Sequence, residues 1–83
     1  MNWSIENNKM EKSFRFNNFQ EAVDFINEVA RLANEQDHHP SLFLHSYKMV
    51  DVGLTTAEQG NVITEKDYKL ARSIDEILIS ATL

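Results

Sequence analysis

The chain lacks several residues on which particular classes of small protein depend. It contains no cysteine, which excludes disulfide bonds and thiolate metal sites. Its 8 lysines and arginines are outnumbered by 13 acidic residues, and the formal net charge is -5. This balance argues against a nucleic-acid surface, which needs clustered Lys and Arg. No apolar run approaches the roughly 18 residues of a membrane span, so we expect no membrane association.

The composition that is present is typical of a small globular domain. Hydrophobic residues make up 42% and charged residues 25% of the 83 positions, which argues against disorder. We expect one domain over residues 1–83. A core of this size is modest and is often supplemented by oligomerisation. The N-terminus has no basic segment followed by an apolar stretch, so we expect no signal peptide and a cytoplasmic location.

A β-hairpin is predicted within the first sixteen residues. Trp3 and Ile5 alternate with polar neighbours, Asn7-Asn8 is a plausible turn, and residues 10–16 carry two phenylalanines on one face. We expect Trp3 to lie in the core or in an interface.

A long amphipathic helix follows the hairpin. Asn18 to Glu21 has the form of a capping box, in which the Asn18 side chain accepts from the Glu21 amide and the Glu21 side chain accepts from the Asn18 amide. Apolar residues then recur at helical spacing up to Gln36-Asp37, which predicts a helix of about five turns. These apolar positions are Ala22, Val23, Phe25, Ile26, Val29, Ala30, Leu32 and Ala33.

The remaining residues predict further strands and a second helix. The second half of 42–56 alternates as in a half-buried strand, and Val62-Ile63 is predicted as a very short strand after a loop over residues 57–61. Thr64 to Asp67 forms a second capping box that opens the last helix. The order β-β-α-β-β-α indicates an α+β fold, with an antiparallel sheet and helices packed on one face. The apolar positions of the last helix are Leu70, Ala71, Ile74, Ile77 and Leu78.

The segment Asp37, His38, His39, Pro40 lies where the first helix must end, because Pro40 cannot continue it. Three interpretations of the histidine pair stay open. The first is a polar helix end, which the helix dipole favours. The second is a metal site completed by His45, although adjacent histidines cannot easily bind one ion. The third is general acid–base catalysis, because imidazole exchanges protons near neutral pH.

Two other groups have a structural and a functional interpretation. Asp67 could orient a ligand, but as the fourth residue of a capping box it is also expected to bond back to the cap. Thr55 and Thr56 are ordinary residues for the end of a strand, although their hydroxyls and amides could bind the polar edge of a heterocycle.

Taken in order, these residues resemble a known enzyme family, the pterin-4a-carbinolamine dehydratases. The similarity covers roughly residues 3–79, and the ordered set is far more specific than His-His-Pro alone. The matching residues are Asp37-His38-His39-Pro40, Tyr47, Thr55-Thr56, Thr64-Glu65-Lys66-Asp67, Leu70-Ala71 and Ile74-Asp75.

The resemblance implies both a fold and a reaction. The fold is a four-stranded antiparallel sheet with helices packed on one face, assembled as homodimers or homotetramers. The reaction removes water from a 4a-hydroxytetrahydropterin, giving the quinonoid dihydropterin, and so recycles the cofactor of aromatic amino-acid hydroxylases. It needs no metal and no organic cofactor. Imidazoles suit this chemistry, which requires an acid at the 4a-hydroxyl and a base at a ring nitrogen.

The resemblance also implies roles for individual residues. His38 and His39 match the first two family histidines, and Asp67 matches the carboxylate in the first turn of the last helix. These three are the expected catalytic residues. The expected substrate-binding residues are Asp37, His38, His39, Pro40, Thr55, Thr56, Ala57 and Glu58.

Two positions depart from the family pattern. The third family histidine falls on Ala57, which cannot transfer a proton, and the family glutamate falls on Asn34, with Glu35 adjacent. A missing acid–base partner typically removes about 10²–10⁴-fold of rate. His45 is a candidate replacement. A catalytically impaired relative that binds a pterin or oligomerises with a protein partner therefore stays open as the alternative.

Overall fold

The chain forms a four-stranded antiparallel sheet with two long helices on one face. The computed structural model describes the backbone of residues 2–82 and the side chains of residues 2–77. The predicted α+β class, its element order and the placement of its helices are confirmed. The elements are β1 (Ser4–Glu6), β2 (Lys9–Arg15), α1 (Phe19–Gln36), β3 (Ser41–His45), β4 (Met49–Leu54), a 3-10 turn (Ala57–Gln59) and α2 (Glu65–Thr82).

The sheet has the strand order β1-β2-β4-β3, so β2 and β4 are central and β1 and β3 are edges. Phe14 of β2 pairs with Val50 of β4, and Val50 pairs in turn with Leu44 of β3. Because successive side chains alternate between the faces of a strand, this register places all three on the helix-covered face. The other face carries polar and exposed groups, including Ser13 and Asp51.

The assignment of the last two strands was wrong in detail. The sequence predicted one strand in the second half of 42–56 and another at Val62-Ile63. In the structure the third and fourth strands are β3 and β4, which form a hairpin, whereas Val62 makes only an isolated bridge to Thr56. Ser46 and Tyr47 turn this hairpin with φ angles of 50° and 51°. Neither residue type commonly adopts this conformation, so the turn carries no sequence signal.

The turn between β1 and β2 lies where it was predicted. Asn7 and Asn8 have φ angles of 53° and 60°. Asparagine tolerates this left-handed conformation better than most residues, which explains why this hairpin could be recognised and the second could not.

The core lies between the sheet and the helices, and Trp3 belongs to it as expected. Trp3 is 7% exposed, and its ring packs edge-on against Phe14, with ring centroids 6.0 Å apart. Leu78 was predicted on the inner face of α2, but its side chain lies outside the described residues. The core comprises Trp3, Met10, Phe14, Ala22, Phe25, Val29, Val50, Val52, Leu54, Leu70, Ala71 and Ile74.

The first helix begins with the predicted cap, with one difference. Asn18 Oδ1 accepts from the Glu21 amide at 2.9 Å, whereas the Glu21 carboxylate accepts from the amide of Asn17 at 3.0 Å rather than from that of Asn18. The Glu21 side chain therefore bonds an amide one residue further upstream than in the standard capping box. Within the described residues, neither helix combines the length and the apolar character that crossing a bilayer requires.

Candidate active site

A left-handed residue at the end of α1 places the histidine pair. Asp37 has φ 49° and ψ 45°, and its amide donates to the carbonyls of Ala33 and Asn34. The next amide, that of His38, also returns to the Ala33 carbonyl, at 3.0 Å. This reversal satisfies helix-end carbonyls that would otherwise lack partners. Pro40 then leads directly into β3, so the two histidines occupy the short link between helix and sheet.

His38 is buried and bound to Asp67 of α2. Its Nε2 lies 2.6 Å from Asp67 Oδ1, and the two residues are 4% and 0% exposed. A buried carboxylate without partners would be costly, so the remaining contacts of Asp67 matter. This contact joins residues that the sequence resemblance had grouped but whose proximity no local pattern could indicate.

The second carboxylate oxygen of Asp67 is also fully used. Oδ2 accepts from Thr56 Oγ1 at 2.8 Å and from the Thr64 amide at 2.9 Å. The Thr56 and Thr64 hydroxyls meet at 2.6 Å. Asp67 is therefore both the capping carboxylate that the sequence predicts and the partner of a histidine, and its role toward a ligand stays a prediction. We call His38, Thr56, Thr64 and Asp67 the buried network.

The buried network fixes how His38 presents its ring. A carboxylate accepts hydrogen bonds only, so Nε2 carries the proton that faces Asp67. Nδ1 has no hydrogen-bond partner among the described side chains, and it is the ring atom left for a ligand. A neutral His38 would accept a proton at Nδ1, and a protonated His38 would donate one there.

His39 lies in a different environment from its neighbour. It is exposed, and its Nε2 lies 3.1 Å from Oδ1 of Asn34, an amide on the last turns of α1. Asn34 is the position where the family pattern has glutamate. The two adjacent imidazoles are therefore held by different groups, one by a buried carboxylate and the other by an exposed amide.

The residues that follow β4 lie in different environments. Thr56 is buried in the network, whereas Thr55 donates to the carbonyl of Asn8 at 2.9 Å, in the turn of the first hairpin. Ala57 is exposed and opens the 3-10 turn. Thr55 and Thr56 thus point to different parts of the molecule, although the sequence grouped them.

An exposed ion pair lies beside these residues. Lys66 Nζ contacts Glu58 Oε1 at 2.9 Å. The hydrogen bond from Lys66 holds the pKa of Glu58 below its ordinary value, and the charge of His38 acts in the same direction. Glu58 correspondingly raises the pKa of Lys66, so neither group is suited to exchange a proton near neutral pH.

A small cavity borders the buried network on the side of α2. Its volume is about 200 Å³, and its lining includes Thr56 and Thr64. Gln59, Glu65 and Lys66 complete the lining. The sequence analysis assigned no role to these three side chains, although Glu65 and Lys66 lie within the second capping box, whereas Thr56 was an expected substrate-binding residue.

His45 lies away from this site. It ends β3, roughly 13 Å of strand from Ser41 at the ordinary rise per residue. Its side chain is on the outer sheet face, where Nε2 approaches Asp51 Oδ2 at 3.0 Å and the ring stacks on Phe43. His45 therefore does not supply the missing third histidine. Within residues 2–77, no three histidine or carboxylate groups converge as a metal site would require.

Comparisons with known proteins show the family to which the chain belongs. The family model described as Pterin 4 alpha carbinolamine dehydratase matches residues 1–77. A Sulfolobus acidocaldarius protein, provisionally named as such a dehydratase, is 47% identical over 75 residues, covering 90% of this chain and 80% of its own. A Picosynechococcus protein with the same provisional name is 43% identical over 75 residues, covering 90% and 79%.

Two solved structures share the fold. A Brucella melitensis crystal structure, described as a transcriptional coactivator/pterin dehydratase, superposes with a TM-score of 0.83 at 36% identity and covers 90% of this chain and 80% of that one. A pterin dehydratase-like protein, identified as a RuBisCO assembly factor in the alpha-carboxysome, superposes with a TM-score of 0.69 at 21% identity, covering 89% and 83%. At that identity the second likeness concerns the fold alone. The chain belongs to the pterin-4a-carbinolamine dehydratase family.

Proposed function

We propose that this protein dehydrates 4a-hydroxytetrahydropterins to quinonoid dihydropterins. The observation that carries the proposal is the pair of adjacent imidazoles, of which His38 is buried and held by Asp67 at 2.6 Å. One imidazole protonates the 4a-hydroxyl as the C4a–O bond breaks and water leaves. The other takes a proton from a ring nitrogen, which completes the carbon–nitrogen double bond. Paired acid and base groups each contribute about 10²–10⁴-fold to such a step.

The proposed substrate-binding residues lie on two segments of the chain. Asp37 and Pro40 flank the histidines, and Thr56, Ala57 and Glu58 lie on the segment that leaves β4. Thr55 remains in the proposal through its backbone, because its hydroxyl already donates to Asn8. The reaction as proposed uses no metal and no organic cofactor, because both proton transfers are assigned to imidazoles of the chain.

The test is dehydration of a chemically generated 4a-hydroxytetrahydropterin by the purified protein, measured against the spontaneous rate in buffer. We expect clear acceleration that is lost in His38→Ala and in His39→Ala. Rates that are unchanged in both variants would remove the proposed mechanism. His45→Ala is the matched control, because it deletes the third imidazole of the chain on the opposite face of the sheet.

The alternative is a catalytically impaired relative that binds a pterin or oligomerises with a protein partner. Ala57 favours this alternative, because alanine, which stands at the position of the third family histidine, cannot transfer a proton. A wild-type rate equal to that of buffer, together with saturable pterin binding, would favour the pterin-binding form. If neither rate nor pterin binding were found, a protein-partner module would be favoured, a kind of role that the RuBisCO assembly factor of the same fold fills.

We also propose a homodimer or homotetramer acting in the cytoplasm. The edge strand β3 supports the assembly, because Phe43 projects from it with 61% of its surface exposed. Exposed edge strands with apolar side chains tend to pair with another chain. Sedimentation velocity of the wild type and of Phe43→Ser tests the assembly, and a monomeric wild type would contradict it.

A further inference from the structure

We propose that Asn34 is a positioning residue that holds the His39 ring with its proton on Nε2 and its Nδ1 lone pair free, and thereby makes His39 the base of the reaction, with His38 as the acid. The inference rests on the proposed function and deepens it, since that function leaves the two roles open. Its basis is the contrast between the two partners: His39 Nε2 lies 3.1 Å from an amide oxygen, and His38 Nε2 lies 2.6 Å from a carboxylate.

The two partners favour different states of the ring. A carboxylate stabilises the imidazolium, because it accepts a charge-assisted hydrogen bond from it. An amide oxygen has no net charge, so it favours the imidazolium much less than a carboxylate does and still accepts the N–H of a neutral imidazole. His38 is therefore held ready to donate from Nδ1, and His39 is held with its proton on Nε2 and a free lone pair on Nδ1. The charged partner of His38 and the uncharged partner of His39 therefore assign the roles of acid and base.

Apart from Asp37, the carboxylates of the segments next to His39 bind other groups. On α1, Glu35 binds Arg31 at 2.5 Å. From the 3-10 turn and α2, Glu58 binds Lys66 at 2.9 Å. The remaining carboxylates of this region are Asp67, which is bound within the buried network, and Asp37 at the end of α1. No carboxylate within the described residues hydrogen-bonds His39, so Asn34 is the side chain that holds its ring.

The proton balance of the step follows from this assignment. His38 gives its Nδ1 proton to the 4a-hydroxyl, the C4a–O bond breaks, and water departs. The proton on the pterin ring nitrogen moves to Nδ1 of His39, and the electrons of that bond form the carbon–nitrogen double bond. Solvent then returns one proton to His38 and accepts one from the exposed His39, so the enzyme regains its starting state.

Asn34→Glu is the discriminating variant, because it places a carboxylate where the amide oxygen lies. We expect the pH at which His39 is half protonated, followed by its ring NMR signals, to rise by roughly 0.5–1 unit, since an opposite charge at this range favours the imidazolium but is partly screened at the surface. The acidic limb of the pH–rate profile should move upward equally. With three histidines in the chain, His39→Gln suffices to assign the signal.

Two further variants make the test specific. Asn34→Ala removes the acceptor without adding charge, and we expect kcat to fall about 2- to 10-fold, the range that one hydrogen bond covers, with KM little changed. Asn27→Glu adds the same charge two turns earlier on α1, where the residue is also exposed. It should leave both the His39 titration and the pH–rate profile as in the wild type.

Each outcome decides one of the two proposals. A titration of His39 that is the same in Asn34→Glu and Asn27→Glu would overturn the role of Asn34, whatever the activity. A shifted titration in a protein that does not accelerate dehydration would support the positioning of His39 and remove the dehydratase function. A shifted titration with an unmoved pH–rate profile would overturn the assignment of His39 as the base.

Discussion

His38 and Asp67 are 29 residues apart in sequence and 2.6 Å apart in the fold. Through the same carboxylate, Asp67 also caps α2 by accepting from the Thr64 amide. One side chain thus links the end of α1, the exit of β4 and the beginning of α2. Site geometry and helix stability therefore depend on the same residue.

Asp67→Asn is expected to reduce both stability and activity. The amide cannot accept at all the positions that the carboxylate serves, and it leaves buried groups without partners. Breaking a buried charged pair typically costs about 3–5 kcal/mol, a large share of the stability of a small domain. Urea unfolding measures the loss. Glu65→Gln is the control, because it neutralises an exposed carboxylate in the same turn and should change little.

Substitutions of the two histidines should differ in their effect on stability, although both lower activity. His38→Ala leaves a buried position empty and removes the histidine partner of Asp67. We therefore expect a loss of about 3 kcal/mol or more in unfolding free energy. His39→Ala changes an exposed side chain, and we expect a loss within about 0.5 kcal/mol. Both should lower the dehydration rate. Equal destabilisation in the two variants would contradict the burial that distinguishes them.

Ala57→His is expected to increase the dehydration rate. Ala57 is exposed at the start of the 3-10 turn, so an imidazole can be accommodated there without entering the core. A third acid–base group is worth about 10²-fold or more where it reaches the reacting atoms. The comparison is kcat/KM for the variant and the wild type. Ala30→His, at an exposed position of α1, should give no gain.

Acid sensitivity is expected from the outer face of the sheet. The Ser13 hydroxyl, at 2.7 Å, and then His45 hold the pKa of Asp51 below its ordinary value of 3.8. A carboxyl whose pKa is lowered on folding contributes stability that is present above the unfolded value and is lost as pH falls through the folded one. Ser13→Ala should therefore reduce stability near neutral pH and make little difference at about pH 2, as measured by urea midpoints.

Asp75 is expected to anchor β2 and the residue before β1 to α2. It accepts from the Trp3 indole at 3.0 Å and from Lys12 at 2.8 Å. Asp75→Ala leaves the half-buried indole donor and lysine without a partner, and we expect a loss of about 1–3 kcal/mol with a change in Trp3 fluorescence. Glu76→Ala, at the next and exposed position, is the matched control. A loss as large in the control would contradict the anchoring role, because Ala is the best helix former and neither substitution lowers helix propensity.

Local signals in the sequence determined most of the elements of the fold. The helices, the first hairpin and the end of α1 at the histidines follow from apolar spacing, capping residues, asparagine turns and Pro40, each of which acts within a few residues. The second hairpin was missed because Ser46 and Tyr47 adopt a left-handed backbone conformation that neither residue type commonly adopts. The ordered motif also indicated the family, because its residues keep their spacing along the chain.

The tertiary structure decided what the motif residues do. Only packing of α2 against the end of α1 brings Asp67 to His38, and only the alternation of β3 sends His45 to the opposite face. The same folding buries one of two adjacent histidines and leaves the other beside Asn34. Sequence specifies these side chains, but burial and long-range contacts set their partners, because both depend on how the helices close over the sheet.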